Sequence, residues 1–142
     1  MSKWIELMRG VVHPWHHDQF GHMNVRHYAP FFDDATFHMW TELGLPYDEM
    51  LPDHGIHTVT ARATTTFVRE LTAGDQIRIS GAVTRIGSKS ANFKFQMLHA
   101  VTGALHATYD LVEVFFDPET RGSAVIPAEI AEKLGAHLVD AG

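Results

Sequence analysis

The chain has 142 residues, of which 45% are hydrophobic and 20% are charged, and its formal net charge is -6 with histidines neutral. This composition predicts one globular domain over residues 1–142. The absence of a Lys/Arg cluster excludes a duplex-binding surface, and the absence of cysteine excludes disulfides, thiolate nucleophiles and Cys-ligated zinc. We expect no nucleic-acid or membrane partner and a cytoplasmic location, since the first ten residues resemble neither a secretory signal nor a membrane span.

The first half of the chain predicts one strand, a polar loop and one long helix. Residues 4–12 are interpreted as a short strand, and residues 13–24 as the loop. Apolar residues then recur at helical spacing, at Tyr28, Phe32, Ala35, Met39 and Leu43. Gly44 ends this helix, and Pro30 predicts either a kink or a loose first turn before a start near Ala29.

After Gly55 the hydrophobic period changes from helical to two, which indicates strands. Strands are predicted at 58–68, 76–86, 91–97 and 105–116, separated by turns at Gly74-Asp75, Gly87-Ser88 and Gly103, and a terminal helix is predicted at 127–138. The aromatic helix must be covered on most sides. The pattern therefore predicts an α+β fold, in which a curved antiparallel sheet of about five or six strands is wrapped around one long helix.

The loop before the helix is where chemistry is expected. It contains Asp18, which can act as a nucleophile or as a general base that activates water. It also leads into a helix N-terminus, whose unpaired N–H groups are suited to stabilise an oxyanion. His13, His16, His17 and His22 lie in the same loop, but their spacing matches no zinc pattern, so no metal is predicted.

The string Asp18-Gln-Phe-Gly21-His22-Met-Asn24, followed by Tyr28 and an aromatic helix, resembles the opening of the 4-hydroxybenzoyl-CoA thioesterase-like branch of the hot-dog superfamily. Residues 66–71, the Gly74-Asp75 turn and the 87–90 hairpin are similar to later features of that family. The match in order and spacing runs from about Val12 to Phe116. It implies a hot-dog fold and hydrolysis of an acyl-CoA thioester.

Carried over residue by residue, the resemblance implies that Asp18 is the catalytic carboxylate and that the Val25 backbone amide forms part of an oxyanion site. Some relatives carry a functional His at the position of Val25, so this chain has only the amide to offer there. His22 is a second catalytic candidate, although a role in holding the loop is equally open. Further candidates for substrate or CoA contacts are Gly21, Asn24, Tyr28, Ser88, Lys89 and Ser90. Asn24 is also a candidate helix cap. No cofactor is expected, because coenzyme A is part of the substrate.

Two alternatives and one assembly prediction accompany this interpretation. Asp18 with His22 leaves open a hot-dog enoyl-CoA hydratase, and the same fold could serve as a non-catalytic acyl-CoA-binding module. A homo-oligomer, either a dimer or a dimer of dimers (a homotetramer), is expected because an open sheet has edges that must be covered. The strand at 105–116 carries few charges and is taken as such an edge. Lys89 of one chain is then expected near the CoA of its neighbour.

Overall fold

The computed structural model describes residues 3–140, so the outermost residues of the predicted domain lie outside it. Its elements, in chain order, are β1 (Ile5–Val11), α1 (Tyr28–Glu42), α2 (Tyr47–His54), β2 (His57–Phe67), β3 (Gln76–Ile86), β4 (Ser90–His99), β5 (Leu105–Asp117), β6 (Gly122–Ser123) and α3 (Ala128–Gly135). Single 3₁₀ turns precede α1 at Pro14–His16 and Val25–His27. Among the described residues, no helix combines the length and the apolar character needed to cross a bilayer.

The strands form an antiparallel sheet in the order β1-β3-β4-β5-β2, with the short β6 paired to the end of β5. The edges are therefore β1 and β2. The prediction that residues 105–116 form an exposed edge is wrong, because β5 lies between β4 and β2 and is paired along both sides. Of these two edge strands β2 is the longer, and Arg62 is the single Lys, Arg, Asp or Glu within it.

Aromatic side chains of α1 pack onto the sheet and fix the position of the helix. The Phe32 ring is fully buried and stacks on Tyr109 of β5 with ring centroids 4.8 Å apart. Trp40, which is 2% exposed, contacts Phe93 of β4 and Phe115 of β5 edge to face. Removing such a ring from a core costs about 3–5 kcal/mol, so these contacts hold the N-terminus of α1 at a fixed place beside the sheet.

The helices agree with the sequence in part. Pro30 is the third residue of α1, a position at which a backbone N–H has no acceptor within the helix. The chain enters α1 through the 3₁₀ turn Val25–His27, which is the loose first turn that was predicted from Pro30. The α2 helix was not predicted. The terminal helix is shorter than predicted, because Pro127 is its N-cap and α3 ends at Gly135.

Candidate active site

The loop that carries Asp18 is a small hairpin. His17 and Met23 form an antiparallel bridge, and the chain reverses between them where the Gly21 N–H donates to the Asp18 carbonyl over 3.1 Å. Gly21 has a φ of 79°, a left-handed conformation that side chains disfavour, which explains the glycine. The Asp18 Oδ1 atom accepts the Phe20 N–H over 2.8 Å. The second carboxylate oxygen, Oδ2, has no hydrogen-bond partner within residues 3–140.

The segment that connects β2 to β3, residues 68–75, holds this hairpin in place. The Met23 N–H donates to the Leu71 carbonyl over 2.7 Å. The Ala73 N–H donates to His17 Nε2 over 2.8 Å, so His17 has a structural contact. Both arms of the hairpin are thus bonded to the segment 68–75, which fixes the position of Asp18.

The turn that begins α1 leaves one backbone donor free. The side-chain Oδ1 of Asn24 caps the turn by accepting the Arg26 N–H over 3.0 Å. Val25 is the first residue of the turn, and its own N–H has no acceptor in the part of the chain that the structure describes. Its side chain is 62% exposed. A free amide at the start of a helical turn is suited to stabilise an anion.

A cavity of about 690 Å³ brings several predicted site residues together, since Asp18, His22, Val25 and Tyr28 all line it. Tyr28 is 3% exposed, and its ring lies edge to face against Phe67 with centroids 5.0 Å apart. Burial raises the pKa of the Tyr28 phenol, and the charges of Glu70 and Asp18 raise it further. Tyr28 therefore keeps its proton at neutral pH and can donate a hydrogen bond into the cavity.

Glu70 is a second carboxylate in the same cavity, and the sequence reasoning did not single it out. Its Oε2 atom lies 3.0 Å from His22 Nε2, with both side chains partly exposed. His22 is therefore paired with Glu70 and does not bond to the Asp18 carboxylate. Glu70 belongs to the family-like string 66–71, so the sequence contained a signal for it, but only the fold brings the segment after β2 against the loop.

The structure separates the hairpin at Ser88, Lys89 and Ser90 from this cavity. Ser90 pairs with Val114 of β5, whereas Phe67 beside the cavity pairs with Ala107, seven residues away on the same strand. At the rise of a strand this is about 23 Å. The lining residues of the cavity include neither Gly21 nor Asn24, which shape and cap the chain next to it.

The remaining histidines of the loop belong to a cluster of tilted rings around His16. The His16 ring lies 5.0 Å from the His27 ring and 5.8 Å from the Phe31 ring, and its Nδ1 accepts the His13 N–H. Burial lowers the pKa of His16, with smaller contributions from His27, His13 and His17. Within residues 3–140, no three His, Asp or Glu side chains are arranged so that they could hold a metal ion.

Comparison with known proteins identifies the fold and the family of this chain. SAV2348 from Staphylococcus aureus, solved in complex with CoA, superposes with a TM-score of 0.81 at 19% identity, over 92% of this chain and 81% of that one. Slr0204, a 1,4-dihydroxy-2-naphthoyl-CoA thioesterase from Synechocystis, gives 0.77 at 13% identity, over 90% and 93%. BH1999, a gentisyl-coenzyme A thioesterase, gives 0.74 at 23% identity, over 89% and 98%. No curated protein matches the chain.

These structural likenesses show the fold, which is the hot-dog fold that the sequence predicted. The sequence itself matches a family model described as the thioesterase-like superfamily over residues 12–134. That range contains the Asp18 hairpin, α1 and the whole β2–β5 sheet. The chain therefore belongs to the thioesterase-like superfamily.

Proposed function

We propose that this chain hydrolyses an acyl-CoA thioester to a carboxylic acid and free CoA. The observation that carries the proposal is that one cavity is lined both by Asp18 and by Val25, whose N–H has no acceptor within residues 3–140. Family membership supports the reaction class. The structural relatives described as CoA thioesterases, and the one solved with CoA, support the substrate class.

In the proposed reaction the thioester carbonyl oxygen accepts the Val25 N–H, which stabilises the negative charge that develops on that oxygen during attack. Asp18 takes a proton from water as water attacks the carbonyl carbon, or it attacks the carbon itself and the resulting anhydride is hydrolysed. In both routes the C–S bond breaks, the thiolate leaves and is protonated to free CoA, and one water is consumed. The Tyr28 hydroxyl donates to the bound ester.

The experiment is a panel of acyl-CoA esters assayed for free thiol, with the wild type compared to Asp18→Asn. Loss of a catalytic carboxylate lowers the rate by about 10²–10⁴-fold. Glu70→Gln is the matched control, because it neutralises the other carboxylate of the same cavity, and we expect it to retain most of the activity. Near wild-type turnover by a folded Asp18→Asn protein would contradict the assignment. Water addition to an enoyl-CoA without thiol release would identify a hydratase, and tight binding without turnover would identify a binding module.

We further propose that the working form is a homo-oligomer whose site is completed by a second chain. The open edge of β2 is flanked by exposed apolar side chains, with Val59 41%, Phe67 49% and Val68 50% exposed. Covering these groups and pairing the open backbone edge both favour a second copy at this place. In that assembly we place the hairpin with Lys89 at the nucleotide end of a neighbour's CoA, because the strand register puts it far from the reaction cavity of its own chain.

A further inference from the structure

A second, smaller cavity of about 140 Å³ lies between α1, α2, β2 and β5. Its walls include the rings of Phe37, Trp40 and Tyr47 and the carboxyl group of Glu113. The proposed reaction uses none of these side chains, and the sequence reasoning gave Glu113 no role. The contacts of Glu113 and the aromatic walls indicate which kind of ligand this cavity favours.

Glu113 is 4% exposed, and burial raises the pKa of its carboxyl group, which two hydroxyl donors offset only in part. The Thr60 hydroxyl donates to Glu113 Oε1 over 2.9 Å, and the Thr58 hydroxyl is a second donor. The titratable groups that face Glu113 are Asp33 on α1, Tyr47 on α2 and Tyr109 on β5, none of which is a cation. In the described chain no Lys, Arg or His lines the cavity. A buried carboxylate without a cation is costly, so a positive ligand is the complement that this site favours.

The aromatic walls favour the same kind of ligand. Phe37 and Tyr47 lie edge to face with centroids 5.4 Å apart, and Trp40 is almost completely buried beside them. Aromatic faces attract ammonium groups, by about 2 kcal/mol or more where water is excluded. The volume corresponds to roughly four or five water molecules. That is close to the size of a trimethylammonium group and too small for the nucleotide of CoA.

The small cavity lies on the same helix as the reaction cavity. Tyr28 lines the reaction cavity, Asp33 and Trp40 line the small one, and a shallow depression at Ala29 and Tyr109 shares Asp33 with the small cavity. At the rise of an α-helix, Asp33 is about 8 Å and Trp40 about 18 Å from Tyr28 along the axis. Along the axis of α1 the small cavity therefore lies about 8–18 Å from Tyr28, a distance that an extended acyl chain can span.

We propose that this cavity binds an ammonium group at the far end of the acyl chain, so that the substrate is a CoA ester of a cationic acid. This inference rests on the proposed thioesterase function. It assigns specificity to Glu113, Trp40 and Tyr47, which hold the cation while the thioester lies at Asp18. The acyl chain must have the length that joins the two cavities.

The test compares two matched series of CoA esters, with four to twelve acyl-chain atoms between the carbonyl and the terminal group. One series ends in trimethylammonium and the other in the neutral isostere tert-butyl, and kcat/KM is measured by thiol release. At the best length we expect the cationic ester to be preferred by about tenfold or more, as a desolvated cation–aromatic contact allows. In Glu113→Gln the preference falls toward one. The control Glu119→Gln makes the same change on an exposed turn and keeps the preference. A second pair covers the case in which Glu113→Gln does not fold: Tyr47→Leu lowers the preference, and Tyr47→Phe keeps it.

The outcomes separate this inference from the proposed function. Turnover of both series with no cationic preference at any length overturns the proposal that the cavity binds the end of the acyl chain and leaves the thioesterase standing. If no ester is turned over, the proposed thioesterase function is wrong. Thermal unfolding in tetramethylammonium chloride then tests whether the small cavity binds a cation. A rise in Tm over an equal concentration of sodium chloride, absent in Glu113→Gln, supports a cation site, and no such rise overturns it. A rise in Tm without any ester preference overturns the assignment to the acyl chain.

Discussion

Replacing Val25 with proline tests the oxyanion donor, because it removes the backbone N–H together with an exposed side chain. Proline is favoured at the first position of a helical turn, which is the position of Val25. The residue before it, Asn24, has φ -67° and ψ 143°, the extended conformation that a residue before proline adopts. The Val25 N–H has no acceptor in the described chain, so the substitution breaks no hydrogen bond of the folded protein.

The expected effect is large on catalysis and small on stability. Loss of one oxyanion donor lowers kcat by about 10²–10³-fold, which corresponds to about 2.7–4 kcal/mol. The Val25 side chain is largely exposed, so its removal changes the free energy of unfolding by about 0.5 kcal/mol or less. Proline at a compatible position stabilises a fold by about 0.4–1 kcal/mol, which offsets that loss.

The assay is kcat for the best ester of the panel, alongside urea unfolding, for Val25→Pro and for the control Val25→Ala. Alanine removes the same side chain and keeps the N–H, so we expect it to retain activity and proline to lose it. If both folded variants turn over the ester at the same rate, the Val25 amide does not stabilise the oxyanion. The backbone argument for this site would then be refuted.

Three further predictions follow from other parts of the structure. Burial raises the pKa of Glu113 above its ordinary value of 4.5. Between pH 4.5 and that raised pKa, the folded protein holds a proton that the unfolded chain releases. The free energy of unfolding therefore falls as the pH rises through this range. Glu113→Gln should flatten that fall in urea unfolding curves, and an unchanged slope would show that Glu113 is not its source. Dialysis against a chelator should leave thioesterase activity intact, and a loss restored by zinc or iron would assign a metal role to the histidines of the loop. Sedimentation at micromolar protein should show a dimer or larger. Mixing Asp18→Ala with Lys89→Ala should then recover activity in hybrid sites, whereas a fully active monomer would contradict the shared site.

Periodicity was enough to predict the elements that bury a whole face. The spacing of Tyr28, Phe32, Ala35 and Met39 predicts α1, and all four side chains are buried in the core. By contrast, α2 contains Pro52 and buries Met50 alone, so its sequence has no apolar stripe to detect. The position of β2 at the edge could not be predicted either, because strand order depends on long-range pairing that no local pattern encodes.

In the candidate site, too, some residues could be predicted from a local motif and others only from the fold. Asp18 and Val25 lie in one stretch of chain, so the motif alone brought them together. Glu70 enters the cavity from a distant strand end, and only the fold reveals it. Glu113 could have been identified from the alternation of side chains along a strand, since it shares the buried face of β5 with Leu111 and Phe115. Val112 and Val114 lie on the other face. A carboxylate on a buried face of a strand is a sequence signal in its own right.

The segment of residues 68–75 has a consequence for the order of folding. It leads from β2 at one edge of the sheet to β3 near the other, and on the way it bonds to Met23 and His17 of the hairpin that carries Asp18. The β3–β4 and β4–β5 pairs join neighbours in sequence, whereas Phe67 of β2 must find Ala107 of β5. Near contacts close faster than distant ones. We therefore expect a refolding chain to regain its central sheet before its activity, because the hairpin that carries Asp18 gains its anchor only after β2 has docked.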